Sequence, residues 1–133
     1  IALVLVVYAT LLGTFQGGNV QVVAVKGQIR YSLDNSDFSN TSLSNYPIGN
    51  PWYARFETVT GGYTGNVKVT WDLYNVTSSS IVHTEITNTF LLNGSIQQYI
   101  YASTSGSQGT NYNWGLQTTT AGTYRIDVKI DTV

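Results

Sequence analysis

Residues 1–15, IALVLVVYATLLGTF, carry no charge, and only Tyr8, Thr10 and Thr14 bring polar side-chain groups into the run. Gln16-Gly17-Gly18-Asn19 follows, a polar stretch whose paired glycines suit a flexible hinge. Three structures accommodate such a run. A membrane-spanning helix of fifteen residues at about 1.5 Å each reaches roughly 22 Å, short of the roughly 30 Å hydrocarbon core. A secretory apolar region has about this length. The sequence starts at Ile1 with neither Met nor a basic flank, however, so removal of an upstream piece is expected. A β-strand buried on both faces is continuously apolar and rich in β-branched residues. Ile1, Val4, Val6, Val7, Thr10 and Thr14 meet that description. Fully extended, the run reaches about 50 Å at roughly 3.3 Å per residue. On a glycine hinge, such a strand can leave its own domain and complete a neighbour's sheet. The strand is the favoured expectation, with the helix and the signal remnant as alternatives.

The remaining residues, 20–133, are enough for one domain. A hydrophobic fraction of 42% supports a core and argues against global disorder. Charged residues make up only 10%, well below the roughly one quarter usual in soluble domains. Polarity comes instead from Ser, Thr, Asn, Gln and ten tyrosines, a composition that suits a secreted or surface β-protein. A net charge of −1 leaves no basic footprint for nucleic acid. With no cysteine, disulfides are excluded. Few carboxylates mean that little folding free energy depends on their ionisation, which suits acidic surroundings.

After residue 19 the chain alternates apolar and polar residues and predicts seven strands. The first, 20–33, places Val23, Val25, Ile29, Tyr31 and Leu33 on one parity, with a bulge or bend expected at Gly27. Residues 34–51 are dense in Asn, Ser, Asp and Pro and predict a long surface loop. In 52–59, Trp52, Ala54 and Phe56 share a face opposite Arg55 and Glu57. In 67–74, Val67, Val69, Trp71 and Leu73 face in while Lys68, Thr70 and Asp72 face out. The strand 81–92 carries Val82, Ile86 and Phe90 on its apolar parity. Asn93-Gly94 predicts a tight hairpin to a return strand over 96–101. Tyr112, Trp114 and Leu116 recur at spacing two, and 122–132 buries Tyr124, Ile126, Val128 and Ile130. No stretch after residue 19 has capped helical periodicity. The expected fold is therefore all-β, an immunoglobulin-like β-sandwich of about seven strands.

The end of the chain carries a family resemblance. Ala121-Gly122-Thr123-Tyr124-Arg125-Ile126-Asp127-Val128, preceded by Trp114 and Thr118-Thr119-Thr120, resembles the last two strands of Ig-like, cell-adhesion-related domains of archaeal surface proteins. Residues 67–74 and 81–90 sit where the middle hairpin of that family falls. An Ig-like domain with a detached apolar strand is also similar in plan to chaperone-usher (type I) pilins. It is more similar still to subunits of the archaeal thread filament, which link head to tail by donating an N-terminal strand. The resemblance implies donor-strand complementation through residues 1–15, with Leu3, Val4, Leu5, Val6, Val7, Tyr8, Leu11, Leu12 and Phe15 as the donated side chains. Residues 16–19 are then the hinge.

No catalytic, cofactor or metal site is expected. His83 falls on the polar parity of its strand beside Glu85, and no positioned nucleophile, base and orienting group accompany it. Asp34-Asn35-Ser36-Asp37 offers oxygen donors for Ca²⁺ but lacks the glycine and terminal glutamate of an EF-hand loop, so a solvated turn is preferred. Trp52, Trp71 and Trp114 could form a sugar-stacking platform, yet each sits on an apolar parity and is expected in the core. Lys26, Lys68 or Lys129 could form an isopeptide bond with an asparagine beside a buried acid, an adjacency no sequence supplies. Three sequons, at Asn40, Asn75 and Asn93, fall in loops or at strand ends and are expected to carry N-linked glycans.

The resulting expectation is a non-enzymatic subunit of an extracellular cell-surface filament. It makes a homopolymer with no membrane span in its mature form. Two alternatives stand beside it: a type IV pilin-like subunit with an N-terminal helix in the filament core, and a carbohydrate-binding β-sandwich.

Overall fold

A computed structural model describes the backbone of residues 11–15 together with residues 25–39 and 46–133. The chain is all-β: two antiparallel sheets pack face to face as a β-sandwich. One sheet is built on β4 (Gly65–Asn75), which pairs on one side with β5 (Ser80–Leu92) and on the other with β7 (Tyr124–Thr132). A short strand, β1 (Leu11–Phe15), adds to the free side of β7 and gives the order β1-β7-β4-β5. The second sheet has the order β2-β3-β6, from Gly27–Ser32, Tyr53–Thr58 and Tyr99–Tyr101.

The period-two pattern of β4 explains its central position. Val67, Val69, Trp71 and Leu73 point inward and are fully buried, whereas Lys68 on the other parity is exposed. β7 repeats the device with Ile126, Val128 and Ile130, and the registers Trp71↔Val128 and Leu73↔Ile126 set both rows on one face. Across the sandwich, Phe56 lies between Ile29 and Ile100 on neighbouring strands, and Ala54, Trp52 and Trp114 complete that side of the core. Gly27 opens β2 at a point where a Cβ would lie 2.3 Å from the Glu57 carbonyl oxygen. It therefore marks a close approach of two backbones, and the strand starts there.

Several expectations are corrected. The apolar parity of β5 is reversed over its first half: Val82 and Ile86 are exposed, His83 and Glu85 are half-buried, and Thr87 is fully buried. A core indole is the reason, since Trp71 Nε1–H donates to Thr87 Oγ1 at 3.1 Å and a buried N–H requires a partner. β5 also has one sheet neighbour, so its outer row meets solvent. Asn93-Gly94 does not form a tight hairpin, because β5 and β6 belong to different sheets and residues 93–98 cross between them. Asn93 Oδ1 accepts the Ser95 N–H, an Asx turn in place of the mirror-image turn. Residues 112–116 are not a strand. Trp114–Leu116 is a 3₁₀ turn capped by Asn113, whose Oδ1 accepts the Gly115 N–H at 2.9 Å; Trp114 is buried and Leu116 exposed. Gly115 is required there, because a Cβ would lie 2.2 Å from the Asn50 carbonyl oxygen.

Candidate functional site

The apolar run enters the described structure at its C-terminal third. β1 runs antiparallel to β7, with Leu11 opposite Asp131, Gly13 opposite Ile130, Thr14 opposite Lys129 and Phe15 opposite Val128. Leu12 is the extra residue of a bulge in this ladder. The β7 residues that receive the strand alternate buried Val128 and Ile130 with exposed Lys129, so the edge carries both a backbone ladder and an apolar row.

Beyond Phe15 the edge closes differently. The Ile126 N–H points to Tyr31 Oη of β2 at 3.5 Å, a long contact from one sheet to the other. Tyr31 packs edge-on against Trp52, with ring centroids 5.9 Å apart. Burial pushes the Tyr31 phenol above its ordinary pKa, so it stays neutral and keeps its proton for hydrogen bonding. On the outer face of the same strand, Arg125 Nε donates to Asp127 Oδ1 at 2.8 Å and the guanidinium lies 4.5 Å from the Tyr74 ring centroid. That pairing leaves the outer face of β7 polar and its inner face apolar.

Leu11, Leu12 and Phe15 thus belong to β1, while Leu3, Val4, Leu5, Val6, Val7, Tyr8 and the hinge at 16–19 lie outside the described residues. Over Leu11–Phe15 the backbone is a strand. Among the described residues, no helix is long and apolar enough to cross a membrane. Asn40 also lies outside the described residues. Asn93 is exposed in the crossing loop, whereas Asn75 is only 8% exposed and its Oδ1 accepts the Ser78 N–H. The accessibility argument for a glycan therefore applies to Asn93 and not to Asn75 in the folded domain.

The remaining candidates have the following surroundings. His83 Nε2 and Glu85 Oε2 are 2.5 Å apart, and the imidazole stacks on Tyr112 with centroids 4.8 Å apart. The imidazole also lies edge-on to Trp114, with centroids 6.0 Å apart. Asp34 Oδ1 accepts from Ser36 N–H, Asp37 N–H and Ser32 Oγ, so this oxygen closes its own turn. Those backbone donors hold the Asp34 carboxyl below the usual carboxylate range. Among the described residues no three of His, Cys, Asp and Glu come together to hold a metal ion. Trp52, Trp71 and Trp114 are all buried, which removes the sugar platform. Lys26, Lys68 and Lys129 are exposed, unlike the sequestered amine that an isopeptide bond needs.

One cluster escaped the sequence reading. On the outer face of the β2-β3-β6 sheet, Glu57 is only 5% exposed, with Arg30 Nε at 2.6 Å on one oxygen and Arg55 at 2.6 Å on the other. The Arg55 guanidinium lies between the rings of Phe38 and Tyr99, 4.2 and 3.8 Å from their centroids, and donates to Tyr101 Oη at 3.0 Å. The parity of β3 placed Arg55 and Glu57 on the outer face. What it could not convey is that Phe38, from the preceding loop, folds over them. Comparison of the chain with protein-family models, curated proteins and solved structures finds no match.

Proposed function

We propose that this chain is the structural subunit of an extracellular surface filament, an immunoglobulin-like domain that polymerises head to tail by donating residues 1–15. The supporting observation is the place of β1 in the strand order. With β2, β3 and β6 read as strands A, B and E, and β4, β5 and β7 as C, C′ and F, every sheet neighbour is the one an immunoglobulin domain has. The position beside F, where strand G runs antiparallel to it, holds β1, the first strand in sequence. A strand that precedes A and occupies the place of G is the arrangement that donor-strand complementation produces across a subunit boundary.

The same ladder can form within one chain or between two, and the difference is the assembly. Between chains the contact is heterologous, repeats without closing, and gives a fibre. The donated segment is Leu3, Val4, Leu5, Val6, Val7 and Tyr8 together with Leu11, Leu12 and Phe15, joined to the domain by Gln16-Gly17-Gly18-Asn19. Assembly is then a homopolymer at the cell surface, with N-linked glycans displayed from its loops and no catalytic role. Val6→Asp or Tyr8→Asp puts a carboxylate into the apolar seat at a cost of several kcal/mol. The expected result is a folded β-domain by far-UV circular dichroism and no filaments by electron microscopy. Filaments of normal length from either variant would refute the reading.

A further inference from the structure

The opposite border of the same sheet has a different character. β5 is thirteen residues long and lies at the edge, and its sequence SIVHTEITNTFLL contains no lysine, arginine or proline. Ile81 is 59% and Leu91 64% exposed, and Val82 and Ile86 are each 39% exposed. Val82 is the extra residue of a bulge against β4, since Leu73 faces His83 and Tyr74 faces Ile81, and this leaves two adjacent apolar residues at the surface. Long edge strands without lysine or proline are templates for pairing with another chain. Among the described residues, the hydrogen bonds that reach β5 from outside its sheet along the backbone fall in its far half, where the Asn88 N–H donates to the Thr104 carbonyl and the Leu91 carbonyl accepts from Gln98 Nε2.

We propose that residues 81–87 of β5 pair antiparallel with the same residues of a second copy of this chain, about a two-fold axis through Thr84. The order of residues carries the choice of partner. With Thr84 opposite Thr84, His83 of each copy faces Glu85 of the other, and Val82 of each faces Ile86 of the other. One pairing thus contains two imidazole–carboxylate pairs, two aliphatic pairs and a threonine pair, all of favourable cross-strand types, flanked at each end by Ile81 opposite Thr87. Centring on Glu85 would oppose two carboxylates, and centring on His83 would set Ile81 against Glu85. The ladder ends with Ser80 opposite Asn88, where β5 begins and where Thr104 already holds the edge. His83 and Glu85 are 2.5 Å apart within one strand, so the exchange trades one imidazole–carboxylate contact per copy for two across the junction. The contact is isologous and closes after two copies. It uses the edge remote from β7 and does not depend on the donor-strand reading; if both hold, β5 joins chains side by side.

The chain has no cysteine, which makes the register testable by disulfide trapping in the full-length protein. Directly opposed residues lie about 4.5–5.5 Å apart between Cα atoms, within the roughly 4.4–6.8 Å that a disulfide spans. Thr84→Cys is expected to give a disulfide-linked dimer as the main species on a non-reducing gel after mild oxidation. Val82→Cys and Ile86→Cys are each expected to stay monomeric alone and to cross-link when mixed. The Val82 and Ile86 pair also decides the matter if Thr84→Cys fails to fold. A reduced Thr84→Cys protein that melts like the wild type yet gives no dimer would overturn the proposal. So would equal cross-linking by every single variant, including Leu116→Cys on an unrelated surface.

Discussion

Trp71 and Trp114 are both fully buried, yet their indole N–H groups have opposite fates. Trp71 Nε1 donates to Thr87 Oγ1 at 3.1 Å, and Thr87 in turn donates to the Ser103 carbonyl at 2.7 Å. Trp114 Nε1 is buried with no hydrogen-bond partner among the described residues. Replacing either by phenylalanine keeps an aromatic ring and opens a similar void, so the cavity contribution largely cancels in the comparison. What remains is the N–H. Trp71→Phe forfeits a made hydrogen bond, a net loss of about 1 kcal/mol, whereas Trp114→Phe removes a desolvated donor and recovers about 1–3 kcal/mol. Trp71→Phe should therefore be the more destabilising by about 2–4 kcal/mol. For a chain of this size that corresponds to a melting temperature lower by roughly 10 °C. Thermal unfolding followed by circular dichroism measures both variants against the wild type. Equal midpoints would refute the argument, as would a lower one for Trp114→Phe.

Glycosylation should follow burial. In an N-glycosylating host, peptide mapping is expected to find Asn93 occupied to a higher level than Asn75, which the folded domain buries; equal occupancy would mean transfer before folding. The turn at residues 34–37 should loosen in acid. The Asp34 carboxyl is held below its ordinary value of 3.8, mainly by the Asp37 and Ser36 N–H groups. Its stabilising contribution is complete above that value and is lost as pH falls through the lower folded one. Hydrogen exchange should show protection of Ser36 and Asp37 falling in that window, and Asp34→Asn should flatten the dependence.

The period-two code was legible where a strand has a sheet neighbour on each side. β4, β7 and β3 present the faces their alternation predicts, because their inward rows are mostly apolar and pack into one core. β5 shows the limit of that code. Its alternation is weak, both faces carry β-branched residues, and the choice of face falls to one hydrogen bond from Trp71 to Thr87, sixteen residues away in sequence. The spacing of Tyr112, Trp114 and Leu116 mimics a strand, but the Asn113 cap and the approach of Gly115 to Asn50 wind the segment into a turn. Asn93-Gly94 has local hairpin chemistry, which tertiary context overrides by sending the following strand to the other sheet. The contacts of Arg30 with Glu57 and of His83 with Tyr112 join residues about thirty apart, so no local pattern encodes them. At the candidate site, a strand is the favoured reading of residues 1–15, beside a helix and a signal remnant, and its described part, Leu11–Phe15, is a strand. Its seat on β7 had no counterpart in any motif, because an edge is defined by what is missing beside it.

Whether β1 belongs to its own domain or to a neighbour's is decided by one cross-link. Thr14 lies opposite Lys129 in the β1–β7 ladder, in a chain without cysteine. The double variant Thr14→Cys with Lys129→Cys, assembled and then oxidised, should run on a denaturing non-reducing gel as a ladder of covalent multimers. Each rung adds one subunit, since each donated strand is tied to the next domain. Oxidation to a disulfide-closed monomer alone would show that the strand folds back on its own sheet, and would contradict head-to-tail polymerisation by strand donation.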